Sequence, residues 1–552
     1  MLGKLKYLII DDSSSFLALA RSILVQAGIS NDRITATADS HKALRLLHQT
    51  KYDVVLCDYN MNCNIDGGLI LDEVRQLQLQ AADGVFLCVT GDNTRDVVNH
   101  FIEMEPDDYL TKPFRYIDFV KRLTKVVKRK QAMKPILQAL AKRQHQQVLD
   151  MIHAPSNELK PYRGYLNRIH GDCLLRLQKH QQAVEFFQRQ NQKLIWPKLG
   201  LSQALQGLGR FDEAEVILKT LLNNQPNNPQ IHRDLATCIM LKEEYPRALS
   251  QFEELNEISP ANPLRQVVIA NLCSVLGHYD QAAVQFEKYA LKVKGSHRYS
   301  LQLHIHSYQC LIFAALNGGE PQQRHRLLTQ AKERLLALRN PLEQPLDSES
   351  EACFAAASAL IALLEGNIEI CFALCSRLQQ AQLANLNFYT LINLCTLFGI
   401  CGMTEEFQHC VKLASNCCEK NDDDDLLVSQ IKLLKHRQLE VQQRLSSGST
   451  LAESCLTQYQ GGQFELALKQ GIEAFFLVPF HHRLSLALLE LLALKLETSH
   501  EPNQLQAIAK SALWVYLNDS RPDVDQKRKA KALYQQIIEQ VDNDSNVVCQ
   551  AG

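Results

Sequence analysis

The chain has 552 residues, 46% hydrophobic and 22% charged, which excludes a mainly disordered protein and, at roughly 150 residues per domain, a single core. Lys plus Arg number 59 and Asp plus Glu 60, a net charge of −1, so the chain as a whole carries no nucleic-acid signature and nucleic acid is not expected as a partner. The 23 Gly and 17 Pro fall below the usual shares of roughly 7% and 5% and argue against turn-rich all-β architectures, while the absence of a long apolar run or a signal-like start leads us to expect a cytoplasmic protein without membrane insertion.

Short apolar runs bounded by polar turns predict five buried strands in the first 130 residues: Tyr7 to Ile10, Ile34 to Thr37, Val54 to Cys57, Val85 to Thr90 and a brief Tyr109-Leu110. Helical patterns separate them. This alternation predicts an α/β doubly wound parallel sheet whose ligand site lies beyond the carboxyl ends of the strands. Asp11 and Asp12 follow the first strand, Asp58 and Thr90 end the third and fourth, and Lys112-Pro113 follows the fifth. Clustered carboxylates offer hard oxygens that suit Mg2+, and a lysine and a hydroxyl beside them suit a phosphoryl group.

These motifs, Ile9-Ile-Asp-Asp12, Val54-Val-Leu-Cys-Asp-Tyr-Asn-Met61, Val89-Thr-Gly91 and Asp107-Asp-Tyr-Leu-Thr-Lys-Pro-Phe114, resemble the receiver domain of two-component response regulators, which are CheY-like. The resemblance implies Asp58 as phosphoacceptor, and Asp11, Asp12, Asp58 and the backbone carbonyl of Asn60 as ligands of the cofactor Mg2+. It implies Thr90 and Lys112 as phosphoryl-binding residues, Tyr109 as the aromatic that moves with them, and Pro113 as a cis-peptide position. The chain departs from the family after Asp58, where Met61 is followed by Asn-Cys-Asn-Ile-Asp66-Gly67, a longer loop with no proline. The next helix, expected from Tyr116 to about Lys130, has an apolar stripe of Phe119, Val120, Leu123, Val126 and Val127 and a basic remainder that reads as a solvated face or a docking surface for an acidic partner.

Beyond about 131 helical periodicity takes over. Phe211-Asp-Glu-Ala214, Tyr245-Pro-Arg-Ala248 and Tyr279-Asp-Gln-Ala282 recur 34 residues apart, with Leu218, Phe252 and Phe286 four residues later and Gly209 and Gly277 supplying turns. This period resembles the tetratricopeptide repeat (TPR), a helical hairpin that stacks into a superhelical array. Ala183, Ala214, Ala248, Ala282 and Ala467 are expected where helices cross closely. Gly171 with Phe187, Gly366 with Ile368 and Cys371, and Gly462 with Phe464 fit the same template. The polar stretch 443–450 reads as a joint, and the acidic run Asp422 to Asp425 as a helix-connecting loop. The expected division is a receiver over 1–130, TPR-like repeats over 131–442 and further repeats over 443–552.

The 17 cysteines are scattered without C-x-x-C and read as small buried hydrophobes in a reducing compartment; Cys371/Cys375 and Cys417/Cys418 have no partner at metal-site spacing. His304/His306 and His481/His482 read as surface or groove residues. Gly461-Gly-Gln-Phe-Glu465 superficially resembles a diguanylate cyclase signature, but Gln463 stands where a carboxylate is required, and no output-enzyme motif is expected. The resemblances together imply a phosphorylation-controlled response regulator, served by a histidine kinase or phosphotransfer protein, whose TPR region binds a further signalling protein. A phosphate sink competing for a shared kinase is the alternative, and DNA-binding output through the basic helix ranks below both.

Overall fold

The computed structural model describes residues 2–61, 65–91, 94–154, 156–318, 320–340, 346–380, 382–419, 423–496, 502–519 and 521–550. Runs of Val, Ile and Leu buried on both faces form β1 (Tyr7–Ile10), β3 (Val54–Asp58) and β4 (Val85–Thr90), while the edge strands β2 (Ile34–Thr37) and β5 (Asp108–Thr111) are only partly buried, short of the five buried strands expected. All pair in parallel in the order β2-β1-β3-β4-β5. The pleat sends alternate residues to opposite faces. Leu8, Ile10, Val55, Cys57 and Phe86 pack with α2 (Ser40–Gln49), α3 (Gly67–Gln76) and α4 (Arg95–Met104). Tyr7, Ile9, Val54, Leu56 and Leu87 pack with α1 (Ser14–Gln26) and α5 (Tyr116–Ala132). Ser13, Asp39 and Asp66 cap α1, α2 and α3 by accepting from backbone N–H groups two or three residues inside each helix.

No strand follows β5 among the described residues. Helices α6 (Lys134–Ala141), α7 (His145–His153), α8 (Arg163–Arg176), α9 (His180–Gln188), α10 (Ile195–Gly207), α11 (Phe211–Asn224), α12 (Pro229–Leu241), α13 (Tyr245–Ile258), α14 (Leu264–Val275) and α15 (Tyr279–Lys292) continue the chain. Ala183, Ala214, Ala248, Ala282 and Ala467 are all fully buried, as small residues at close helix crossings must be. The turns take left-handed backbone at Gly209 (φ 74°) and Gly277 (φ 77°), and Glu243 adopts φ 64° midway between them, at the same repeat position. Gly171 is different: it lies inside α8, where a Cβ would come within 2.5 Å of the Phe187 ring.

Residues 1–269 with 288–300 form one compact unit and residues 270–287 with 301–552 another. In the first, α4 of the sheet domain packs on α12. In the second, helices run from Gln302–Asn317 to Val524–Gln550, and none in the described chain is long and apolar enough to cross a membrane. Four expectations are corrected here. Residues 443–450 are no joint but the middle of a continuous helix, Asp424–Gln460, because Gly448 lets Leu477 and Val478 approach to where a Cβ would stand. Asp423 caps that helix and Asp424 and Asp425 lie in its first turn, where carboxylates suit the helix dipole; residue 422 lies outside the described residues. His306 is core, 3% exposed, and His481 caps the helix His482–Leu492 through Nδ1, which accepts from Leu484 N. Finally, Cys371 and Cys375 do have a partner, since Cys401 meets both in space.

Candidate functional site

The ends of β1, β3, β4 and β5 deliver functional side chains to the same edge. Asp11 follows β1 and is held by Asp11 N donating to Thr37 O (3.2 Å) and by Ser13 N donating to its Oδ1 (3.0 Å). Asp58 is the last residue of β3, and Thr90, fully buried, the last of β4. Lys112 N donates to Thr90 O at 2.7 Å, and the cis Lys112–Pro113 bond follows. From there Lys112 Nζ donates to Asp11 Oδ2 (2.6 Å) and Asp58 Oδ2 (2.9 Å) and lies 4.1 Å from the Phe16 ring centroid.

Carboxylate oxygens of Asp11, Asp12 and Asp58 lie within 4.8 Å of one another, so three carboxylates face one ammonium. Burial raises the Asp58 pKa, the Lys112 hydrogen bond and charge oppose that, and Asp11 adds repulsion. Burial works to lower the Lys112 pKa, but its bonds to Asp11 and Asp58 outweigh it and the pKa rises. Asp58 Oδ1 is buried and accepts no hydrogen bond. A buried carboxylate oxygen without a partner, beside two further carboxylates, fits a hard divalent cation, and the residues present therefore suit Mg2+.

Asn60 lies two residues past Asp58 in the loop after β3, and residues 62–64 of that loop lie outside the described residues. The loop rejoins at Gly67, whose N donates to Tyr59 O (2.9 Å); a Cβ there would come within 2.4 Å of Asp58 O. Glycine at this position is what lets α3 start against the end of β3. Tyr109 on β5 is 41% exposed and stacks on Phe101 of α4 at 5.4 Å.

The receiver-domain family description, response regulator receiver domain, matches residues 7–124. Residues 7–124 are a receiver domain. Residues 172–237 match the tetratricopeptide repeat, so a receiver joined to TPR repeats is the architecture of this chain. The receiver resembles the transcription factor SKN7 of Candida albicans, 28% identical over 122 residues, 22% of this chain and 21% of that protein. It also resembles the probable transcriptional regulator ycf27 of Guillardia theta, 30% identical over 132 residues, 23% of this chain and 46% of that protein. The chain thus spans less than half the length of either curated relative. Among solved structures, the chemotaxis protein CheY4 of Vibrio cholerae is 24% identical, covering 22% of this chain and 98% of that one with a TM-score of 0.20. The receiver domain of the Francisella response regulator 1452 is 25% identical, covering 23% and 98%, with a TM-score of 0.21.

The receiver's α4 is also bonded to the repeats of its own unit. Glu103 pairs with Arg265, both nearly inaccessible, and accepts from Ser259 Oγ at 2.5 Å. Asn99 Nδ2 donates to Ile258 O (3.0 Å), and Gln230 Nε2 to Ile102 O (3.1 Å) and Glu105 Oε1 (3.0 Å). On α3, Asp72 accepts two bonds from Arg298 (2.5 and 2.9 Å). Burial would raise the Glu73 pKa, but hydrogen bonds with His297 and His48 hold it down at about 2. His100, buried on α4 beside Tyr59, is driven down to about 4 by burial and then by the charges of Arg265 and Lys292. Spacing along the chain gives no sign of the Glu103–Arg265 pair, whose members stand 162 residues apart.

The second unit holds a cleft of about 740 Å³ lined by Val275, Tyr279, Asn317, Leu327, His436 and Glu440, among others. At its wall Arg437 donates to Glu440 Oε2 (2.6 Å) and the Tyr279 hydroxyl (3.0 Å), so this buried cation is paired.

Proposed function

We propose that this chain is a phosphorylation-controlled response regulator in which Asp58 is the phosphoacceptor. The observation that carries the reading is the convergence of Asp11, Asp12, Asp58 and Lys112 on one sheet edge, with one Asp58 oxygen left without a partner. A carboxylate oxygen of Asp58 attacks the phosphorus of a phosphohistidine on a kinase or phosphotransfer protein, and the imidazole leaves. Lys112 neutralises charge on the phosphoryl oxygens, and the Thr90 hydroxyl donates to one of them. Asp11, Asp12, Asp58 and the Asn60 carbonyl would hold Mg2+, which, when bound, supplies charge neutralisation for the transfer.

The bonds between α4 and the repeats support a route from this pocket to a protein partner of the TPR region. Tyr109 stacks on Phe101, two residues before Glu103, so a shift of Thr90 and Tyr109 toward the phosphoryl group changes the seat of α4 on Arg265 and Ser259. A phosphate sink would have no use for that connection. Incubation of the full chain with a small acyl phosphate and Mg2+ tests the assignment: intact mass rises by one phosphoryl group in the wild type, and neither Asp58→Asn nor chelator-treated protein gains mass. Unchanged labelling of Asp58→Asn would overturn it.

A further inference from the structure

Seven cysteines lie between 371 and 418, and three of them meet. Cys371 and Cys375 stand one turn apart on the helix Ile368–Gln379, hence on one face. Cys401 caps the end of the helix Phe388–Ile400. Its Sγ lies 3.8 Å from that of Cys371 and 4.0 Å from that of Cys375, and all three sulfurs lie within 4.8 Å of one another. Cys371 and Cys375 are fully buried and Cys401 is 6% exposed, beside the turn that Gly402 makes at φ 72°.

Structural zinc takes four ligands, and among the described residues this group has three. Burial and the two neighbouring thiols are what act on each sulfur. A dry site of this sort disfavours any product with net charge. We propose that Cys371, Cys375 and Cys401 form a binding site for a three-coordinate thiophilic centre, trivalent arsenic taken up as arsenous acid. Three As–S bonds form as three As–O bonds break, each thiol proton leaves with a hydroxyl as water, and arsenic stays trivalent. The product is neutral and needs no oxidant.

The test titrates the reduced full chain with sodium arsenite. One arsenic per chain, the loss of three titratable thiols, and a first shell of three sulfurs in arsenic X-ray absorption are expected. Cys401→Ala should weaken binding by at least about tenfold, and Cys417→Ala should leave it unchanged. The absorption result on the wild type stands even if Cys401→Ala does not fold. The proposal is overturned by no uptake, by a shell of two sulfurs as the Cys395/Cys410 or Cys417/Cys418 pairs would give, by binding indifferent to Cys401→Ala, or by displacement of the arsenic by equimolar zinc.

Discussion

At the carboxyl edge of the sheet three carboxylates crowd one lysine and a buried oxygen goes without a hydrogen bond, whereas at the close crossings of the repeat helices the buried side chains are alanines and aromatics that fit by shape. Ala214 and Ala248 are fully buried, and Phe252 is 1% exposed. The receiver edge gives up stability to keep a reactive group in place, and the helix crossings of the array gain stability from close packing. Substitutions in the two regions should therefore separate function from folding.

Asp58→Asn should produce the largest functional effect, complete loss of phosphoryl acceptance, yet change stability by no more than about 1 kcal/mol, because Lys112 keeps its bond to Asp11. Urea unfolding together with intact mass reads both. Phe252→Ala should do the reverse: a loss of about 3–5 kcal/mol from transfer and cavity costs, with labelling of the folded fraction intact. Arg265→Met strikes the connection between the regions. It leaves Glu103 buried with Ser259 as its polar partner and should cost about 3 kcal/mol, seen as faster amide exchange in α4.

Acid should act on both units through buried histidines. Burial pushes His100 and His306 each down to about 4 from 6.5. The unfolded chain then binds more protons between those values, so stability is lost as pH falls from about 6.5 to about 4 and the contribution is flat below that, roughly 3 kcal/mol per histidine. Urea midpoints measured across this range should flatten in His100→Leu. The smallest effects fall on the repeat turn. Gly209→Ala at φ 74° should cost about 1 kcal/mol, and Glu243→Gly at φ 64° should return up to about that much, compared by thermal midpoints.

The strands were legible because runs such as Tyr7 to Ile10 and Val85 to Thr90 are buried on both faces and so carry no polar interruption, and the repeats because Ala214, Ala248 and Ala282 keep one period. The pocket residues were legible as strand-end positions. What escaped was composition that means two things. Ser446, Ser447 and Gly448 look like a loop, yet Gly448 is there to let a neighbouring segment approach a helix. Long-range pairs escaped too: nothing near Glu103 or Cys371 in the chain points to Arg265 or Cys401, since such partners are set by how the helices stack.

Helix α4 is at once a wall of the receiver core, through Val97 and Phe101, and a support of the repeats, through Asn99 and Glu103. Excising the receiver at its sequence boundary would strip Glu103 of its arginine and open a polar seam along α4. The receiver and the repeats of its unit match different families yet share this helix, and any partner that reads this face of α4 must first displace the protein's own repeats from it.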